Sequence, residues 1–342
     1  MMQHQLALYL PGLLHGSEYW REPAFCQDLE LPSLELILSR AKRVAQQPQD
    51  HDSRLFSLFG YPAQPPAVAA VTRLIDSRQE GSGFCLRADP VSVSPDRDRL
   101  IMMGNQHLNI RHAEAEQLVQ EFNQLFAEDG LRLEAPVLNR WYLSSEQPAA
   151  IRTESLQQVI GKDIHRHLPG GEAGMQWHSI LNEIQMLFHG SSVNQLRRNR
   201  GEAEINSLWF WGEGHLPDAH VAPWQQVWGN DVLTRGLTRL SGMGAHTLPA
   251  CAEDWLEAAE PGGAQLVVMD ALAEASYRMD LYQWREQLKG IEEYWLSPLL
   301  ELIKRKQLSS LVVWSDTARF ELNAAALGRW WKRRRPFESY TG

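Results

Sequence analysis

Asn194, Arg197, Arg198 and Arg200, then Asn206, then Gly212 and Gly214, form the densest run of ligand-capable residues in the chain. Arg197 falls three residues after Asn194, on one face of a predicted helix. A guanidinium can grip phosphate or carboxylate through two parallel hydrogen bonds, and glycine lets backbone come close to a ligand. A charged helix surface followed by a glycine turn would use the same residues, and residue types alone do not separate the two. Asp270 and Asp316 stand at the ends of predicted strands, where α/β hydrolytic folds often hold metal; helix capping or a solvated turn accounts for either acid taken singly. His51-Asp52 falls in a predicted polar loop, with His15 a further imidazole. Without fixed spacing these carry little metal information, and surface histidines are the plainer expectation.

The elements that must position these groups follow from periodicity and breakers. Leu6 to Leu10 reads as a buried strand running into Pro11-Gly12, the type of turn at which open α/β sheets place their sites. Leu34 to Val44 has helical spacing, Pro48 to Ser53 is polar, and Leu55 to Phe59 is apolar up to the breaker at Pro62. Phe84 to Ala88 and Leu100 to Met103 read as paired strands around Ser94-Pro95-Asp96, followed by a helix over Ala113 to Phe126 and a strand at Trp141 to Leu143. Helices are predicted over Trp177 to Phe188 and Val193 to Arg200, with Gly201 as a C-terminal cap. Ser207 to Trp211 is a strand ending in Gly212-Glu213-Gly214. The last third alternates again: helix Val232 to Leu240, strand Gln265 to Met269, a long helix Tyr282 to Arg305 bent near Pro298, and strand Leu311 to Trp314. This rhythm predicts a mainly parallel sheet with helices on both faces. The core is expected from residues 1–70 and 216–342, with an α+β subdomain, 71–215, inserted.

The 342 residues suffice for one large or two ordinary domains, and Lys plus Arg number 33 against 42 Asp plus Glu, a net charge of −9. That balance argues against a nucleic-acid footprint over the whole protein. The one basic run, Lys332 to Arg335, reads as a solvated tail, with an anionic partner as the other use of such a charge. Three scattered cysteines without CxxC spacing exclude a disulfide framework and a thiolate zinc site, and fit a reducing compartment. No apolar run approaches the ~20 residues that span a bilayer, and the N-terminus lacks a signal-peptide pattern. Cytoplasmic location with neither a membrane nor a nucleic-acid partner is therefore expected. Thirteen tryptophans, several paired as at Trp330-Trp331, point to aromatic cores and interfaces.

The segment His189-Gly190-Ser191-Ser192-Val193-Asn194-Gln195-Leu196-Arg197, then Gly201, then Asn206 to Gly214 with Trp209 and Gly212, resembles a stretch of the archaeal-type cofactor-independent phosphoglycerate mutases, of the alkaline phosphatase superfamily. Their pattern is H-P-V-N-x-x-R-x-x-x-G, then A-N, then W-G-x-G. Leu31-Pro32-Ser33-Leu34, Ser57 to Pro62, Phe84 to Ala88, Gln265 to Asp270 and Gly290 to Glu293 match further family segments in order. The resemblance implies an alkaline-phosphatase-like α/β fold and a two-metal phosphoryl-transfer site.

The departures fall on that site. The family's first strand ends in a metal-binding Asp within P-D-G, and here the segment is Leu10-Pro11-Gly12-Leu13. His51 stands at the position of the nucleophilic Ser, and Asp52 at the Asp beside it. The late D-E-x-G-H becomes Ala271 to Arg278 without Asp or His, and the final D-H pair becomes Asp316-Thr317. Two cations and an in-line nucleophile need several anionic and imidazole ligands, and Asp316 is the one family metal ligand retained. The expectation is a phosphoglycerate-mutase-like protein that has lost metal-dependent phosphoryl transfer and acts as a binding or regulatory protein, with no bound metal. Its ligand would be a small phosphorylated or carboxylated metabolite held by Asn194, Arg197, Asn206, Trp209, Gly212 and Gly214. The rival expectation for Arg197 is an ion pair with an acid such as Glu183 or Glu213. The alternative for the whole chain is an active mutase or phosphatase whose rearranged site (His15, His51, Asp52, His215 and Asp316) holds manganese or zinc.

Overall fold

Leu6, Ala7, Leu8, Tyr9 and Leu10 are all buried, so the first strand is covered on both faces and occupies the middle of a sheet. The computed structural model describes residues 4–14, 29–62, 65–77 and 83–340. The chain divides into two units, one from Met1–Ala63 with Ala219–Gly342 and the other from Gln64–Asp218. In chain order the first unit begins with β1 (His4–Tyr9), α1 (Pro32–Arg40), β2 (Lys42–Ala45) and α2 (His51–Leu58). The second contains α3 (Val68–Asp76), β3 (Phe84–Asp96), β4 (Arg99–Gly104), α4 (His112–Leu125), β5 (Leu131–Val137), β6 (Arg140–Ser145), α5 (Gly174–Gly190), α6 (Ser192–Asn199) and β7 (Ser207–Gly214). The first resumes with β8 (Gln226–Trp228), α7 (Val232–Leu240), β9 (Ala245–His246), α8 (Ala252–Ala258) and β10 (Ala264–Val268). It ends with α9 (Ala271–Tyr277), α10 (Leu281–Ile291), α11 (Ser297–Lys304), β11 (Leu308–Trp314) and β12 (Ala318–Leu322).

The first unit's seven-stranded sheet has the order β2-β12-β11-β1-β10-β8-β9. β1 runs parallel to β10 and β11, β10 to β8, and β8 to β9, while β12 and β2 add antiparallel pairings at one edge. Parallel pairing brings the carboxyl ends of β1, β8, β10 and β11 to one end of the sheet. The segments beginning at Leu10, Gly229, Met269 and Ser315 therefore leave the sheet together, as in other open α/β sheets. Leu34, Ile37 and Leu38 of α1, with Leu288, Leu296, Leu299 and Ile303 from the late helices, fill the core against the sheet. This is the mixed α/β layering, a mostly parallel sheet flanked by helices, that the alternation predicts.

The second unit is antiparallel. β3 pairs with β4, β6 and β7, and β6 also pairs with β5. Its core joins Phe84, Leu86 and Phe210 from the strands to Leu118 and Phe122 of α4 and Leu181, Ile184 and Phe188 of α5.

Several local expectations change. The helix begun near Leu34 ends at Arg40, because Ala41 turns extended (ψ 163°) and Val44 joins an edge strand opposite Arg319. His51 and Asp52 lie in the first turn of α2 rather than in a loop, since the Asp50 side chain accepts from Ser53 N at 2.8 Å and caps the helix. Pro95 pairs with Leu100 inside the β3–β4 hairpin, and the reversal occurs at Arg97, with φ 58°. Helix α3 straddles the boundary expected at residue 70, and its Ala69 and Ala70 pack with Cys85 and Tyr142 in the second unit. The long helix expected from Tyr282 to Arg305 does form without a break over α10, a π-helical turn at Glu292–Leu296 and α11, and Pro298 lies just past the π-helical turn. Among the described residues no helix is long and apolar enough to cross a membrane.

Candidate functional site

At the carboxyl end of β1 the chain turns through Leu10-Pro11-Gly12. Both carboxylate oxygens of Asp316, which follows β11, accept the Gly12 N–H, at 3.1 and 3.0 Å. The Gly12 carbonyl accepts Trp284 Nε1 at 3.0 Å, so the turn is held on both sides. Gly12 has φ +83°, and a Cβ there would stand 2.8 Å from the backbone of Leu272 and Ala273 at the start of α9. Helix α9 therefore occupies the space that a side chain at this position would need.

The first turn of α2 lies over the same sheet end. His51 Nδ1 is 3.3 Å from the Tyr9 hydroxyl, and the two rings stack at 5.6 Å with 12° between their planes. Arg54, buried one turn later, donates from Nη2 to the Gln47 carbonyl at 2.9 Å and lies 5.8 Å over the Trp314 ring. Burial, then Asp316, holds the Tyr9 phenol well above its ordinary range. Burial, then Asp52 and Asp316, raises Tyr277. Burial, then Asp231, raises Asp270, with His51 opposing. Burial is the first cause of all three shifts and the nearby carboxylates the second, so these groups are pushed toward their protonated forms chiefly because they are out of water.

The predicted residues divide between the units. His51, Asp52, Asp270 and Asp316 gather around the first unit's sheet end. His215 belongs to the second unit, edge-on to Phe84 at 5.4 Å. His15 lies outside the described residues. Among the described residues no three His, Cys, Asp or Glu side chains form a group able to hold a metal ion.

The motif built on Asn194 and Arg197 lies in the second unit and faces inward. Arg197 is 1% exposed, and each of its guanidinium nitrogens has a protein acceptor. Nε donates to the Ala203 carbonyl at 2.7 Å, Nη1 to Glu114 at 2.7 Å, and Nη2 to the Leu108 carbonyl. The acid is Glu114 rather than Glu183 or Glu213; the latter accepts from Thr153 instead. Glu114 also accepts the Arg111 N–H at 2.9 Å and so closes the N-terminus of α4. Asn194, fully buried, donates to the carbonyls of Phe188 and Ile205 and accepts the Ile205 N–H, all between 2.8 and 2.9 Å. Asn206 bonds both N–H and carbonyl of Val93 at 2.8 Å, and Trp209 Nε1 donates to the Glu154 carbonyl at 2.9 Å. Gly201 has φ +69° just after α6, as its capping role requires. At Gly212 (φ +63°) a Cβ would meet Val68 Cβ at 2.9 Å, and at Gly214 Ala67 Cβ at 2.6 Å.

Asn194, Arg197, Asn206 and Trp209 are thus each engaged by groups of the protein itself. Two partners escaped the sequence reading. Glu114 carried a signal, an acid three residues into a helix behind Arg111; Tyr9 carried none, because it sits in an apolar strand like any core residue.

Comparison with known proteins follows the same outline. No family model matches the chain. It is 23% identical over 176 residues to a probable 2,3-bisphosphoglycerate-independent phosphoglycerate mutase of Geobacter sulfurreducens, which covers 50% of this chain and 44% of that one. It is 25% identical over 177 residues to the 2,3-bisphosphoglycerate-independent phosphoglycerate mutase of Methanosarcina barkeri, covering 50% and 43%. These matches span less than half the length of either relative. Among solved structures, the cofactor-independent phosphoglycerate mutase of Thermoplasma acidophilum superposes with a TM-score of 0.51 at 16% identity, covering 100% of this chain and 95% of that one. At that identity the structural likeness speaks for the fold, which is alkaline-phosphatase-like. The sequence similarities are of the kind a divergent relative of these mutases would have.

Proposed function

We propose that this phosphoglycerate-mutase-like chain does not perform metal-dependent phosphoryl transfer and acts as a binding or regulatory protein. The observation that carries the reading is the closed turn at Gly12. The resemblance implies a metal-binding carboxylate within the segment after Leu10, and a Cβ at Gly12 would lie 2.8 Å from the backbone of Leu272 and Ala273, closer than real Cβ contacts come. Asp316, the one family metal ligand retained, takes the Gly12 N–H in a bifurcated hydrogen bond to both carboxylate oxygens. The loss therefore extends beyond the missing side chains to the space and the hydrogen bonds around them. His51, at the position of the family's nucleophilic serine, stacks on Tyr9 with Nδ1 3.3 Å from its hydroxyl.

The reading does not depend on a small anion at Arg197, whose donors are already occupied. Calorimetric titration of the purified, chelator-treated protein with manganese and with zinc tests the proposal. Weak, substoichiometric heats are expected. One or two tight sites per chain that vanish in Asp316→Ala would favour an active, rearranged centre instead.

A further inference from the structure

The most exposed aromatic pair with cationic neighbours lies far along the chain, after β12. Trp330 and Trp331 are 79% and 64% exposed and are followed directly by Lys332, Arg333, Arg334 and Arg335. Burying even one indole is strongly favourable, so soluble surfaces rarely leave two adjacent ones in water without a use for them. This stretch is also held in place. Trp330 N donates to the Gly328 carbonyl at 2.8 Å and Lys332 N to the Arg329 carbonyl at 3.0 Å. Beyond the basic run, Arg335 N donates to Ser39 Oγ and Phe337 N to Glu35 Oε1, both at 3.0 Å, and the Phe337 ring is buried. The turn that carries the two indoles is anchored at both ends, so little ordering entropy remains to be lost when it docks.

We propose that the turn from Gly328 to Arg335 docks on an anionic lipid surface, the indoles entering the headgroup layer and the basic residues pairing with lipid phosphates. Charge complementarity commits the turn to an anionic occupant: Arg334 pairs with Glu35 at 3.2 Å, and Lys332, Arg333 and Arg335 add three further cations to a chain whose net charge is −9. The ring geometry selects among anions. Trp330 and Trp331 stand at 85° to one another with centroids 6.0 Å apart. Successive nucleic-acid bases stack on parallel platforms, which this arrangement does not offer. Indoles of mixed orientation beside Lys and Arg match the aromatic and basic composition of membrane interfaces. A lipid surface also touches only the local turn, whereas a long polyanion would have to follow an acidic protein. The absence of an apolar span is no objection, since a surface contact needs none.

The test is co-sedimentation of the full chain with vesicles of phosphatidylcholine alone and of phosphatidylcholine mixed equally with phosphatidylglycerol. Binding to the mixed vesicles, its loss in the neutral ones and its weakening by salt are expected. Trp330→Ala with Trp331→Ala should weaken partitioning by about tenfold or more, as the loss of two interfacial indoles implies. Lys332→Glu with Arg333→Glu should abolish it. Trp330, Trp331 and Arg333 are exposed and Lys332 is half-buried, and unchanged thermal melting would certify the fold of the variants. No binding to mixed vesicles, equal binding to both kinds, or binding indifferent to the tryptophans would overturn the proposal. So would a single-stranded oligonucleotide that binds the same residues while vesicles do not, or a parent chain that self-associates through these indoles and a tryptophan variant that does not.

Discussion

The Gly12 N–H and the Asp316 carboxylate, 304 residues apart in sequence, meet at 3.0 and 3.1 Å and tie the turn after β1 to the turn after β11. An acid that the resemblance places on a metal here closes the site by bonding to the backbone. Asp316 therefore has a structural duty, and Asp316→Ala should lower stability by about 1–3 kcal/mol, the cost of leaving a part-buried N–H unpaired. Urea denaturation would measure it, and an unchanged midpoint would show that the bond contributes nothing.

Restoring the family's acid by Gly12→Asp should fail to restore a metal site. The position has φ +83° and its Cβ would lie 2.8 Å from the backbone of α9. The conformational strain alone is about 1–3 kcal/mol, and displacement of α9 adds to it. A variant with a lowered melting temperature and no gain in manganese affinity is expected. Tight manganese binding at undiminished stability would contradict the closed turn.

Arg197→Ala should behave as a core mutation. It leaves Glu114 buried without its closest cationic partner and frees two backbone carbonyls. Removing one partner of a buried ion pair costs about 3–5 kcal/mol. Denaturation should show that loss, while any affinity for phosphoglycerates measured by calorimetry should stay unchanged. Affinity lost at constant stability would return Arg197 to the role of ligand residue.

Acid should loosen the entry to α4 before it unfolds the rest. Hydrogen bonding to Arg111 holds the Glu202 carboxyl down to about 2. A lowered folded-state value means that its stabilising contribution is complete above the ordinary glutamate range, near 4.5, and is lost as pH falls toward about 2. The melting temperature should decline across that window, and Glu202→Gln should flatten the decline. Identical pH profiles for the variant and the parent chain would remove Glu202 from the account.

Helix α1 offers a further check within the first unit. Glu292, in the π-helical turn, accepts Ser33 N at 2.6 Å and Leu34 N at 2.9 Å, a buried carboxylate at a helix N-terminus. Glu292→Gln keeps one acceptor but loses the charge, and should cost about 1–2 kcal/mol. Hydrogen exchange of the α1 amides should speed up relative to those of β1; no change would mean that the helix is held by packing alone.

Elements with long apolar periodicity were legible in the sequence. β1, α4, α5 and β10 arise where it places them, because burial on both faces of a strand or along one face of a helix leaves a clear residue pattern. β2, β8, β9 and β12 were not, since each is short and set by pairing with a distant partner, as Val44 is by Arg319. At the site, the missing acid after Pro11 could be read, but the reason it cannot return is a backbone approach by α9 that no local sequence records. Arg197 shows the opposite difficulty. Its residue type and spacing suited a ligand, and its partner Glu114 lies 83 positions earlier.

The most direct measurement is turnover. The purified full chain should be assayed for interconversion of 3- and 2-phosphoglycerate with added manganese or zinc, beside an active cofactor-independent mutase as a control. No turnover above the uncatalysed background is predicted, with or without metal. Robust metal-dependent conversion by this chain, abolished in His51→Ala or Asp316→Ala, would contradict the account at its centre.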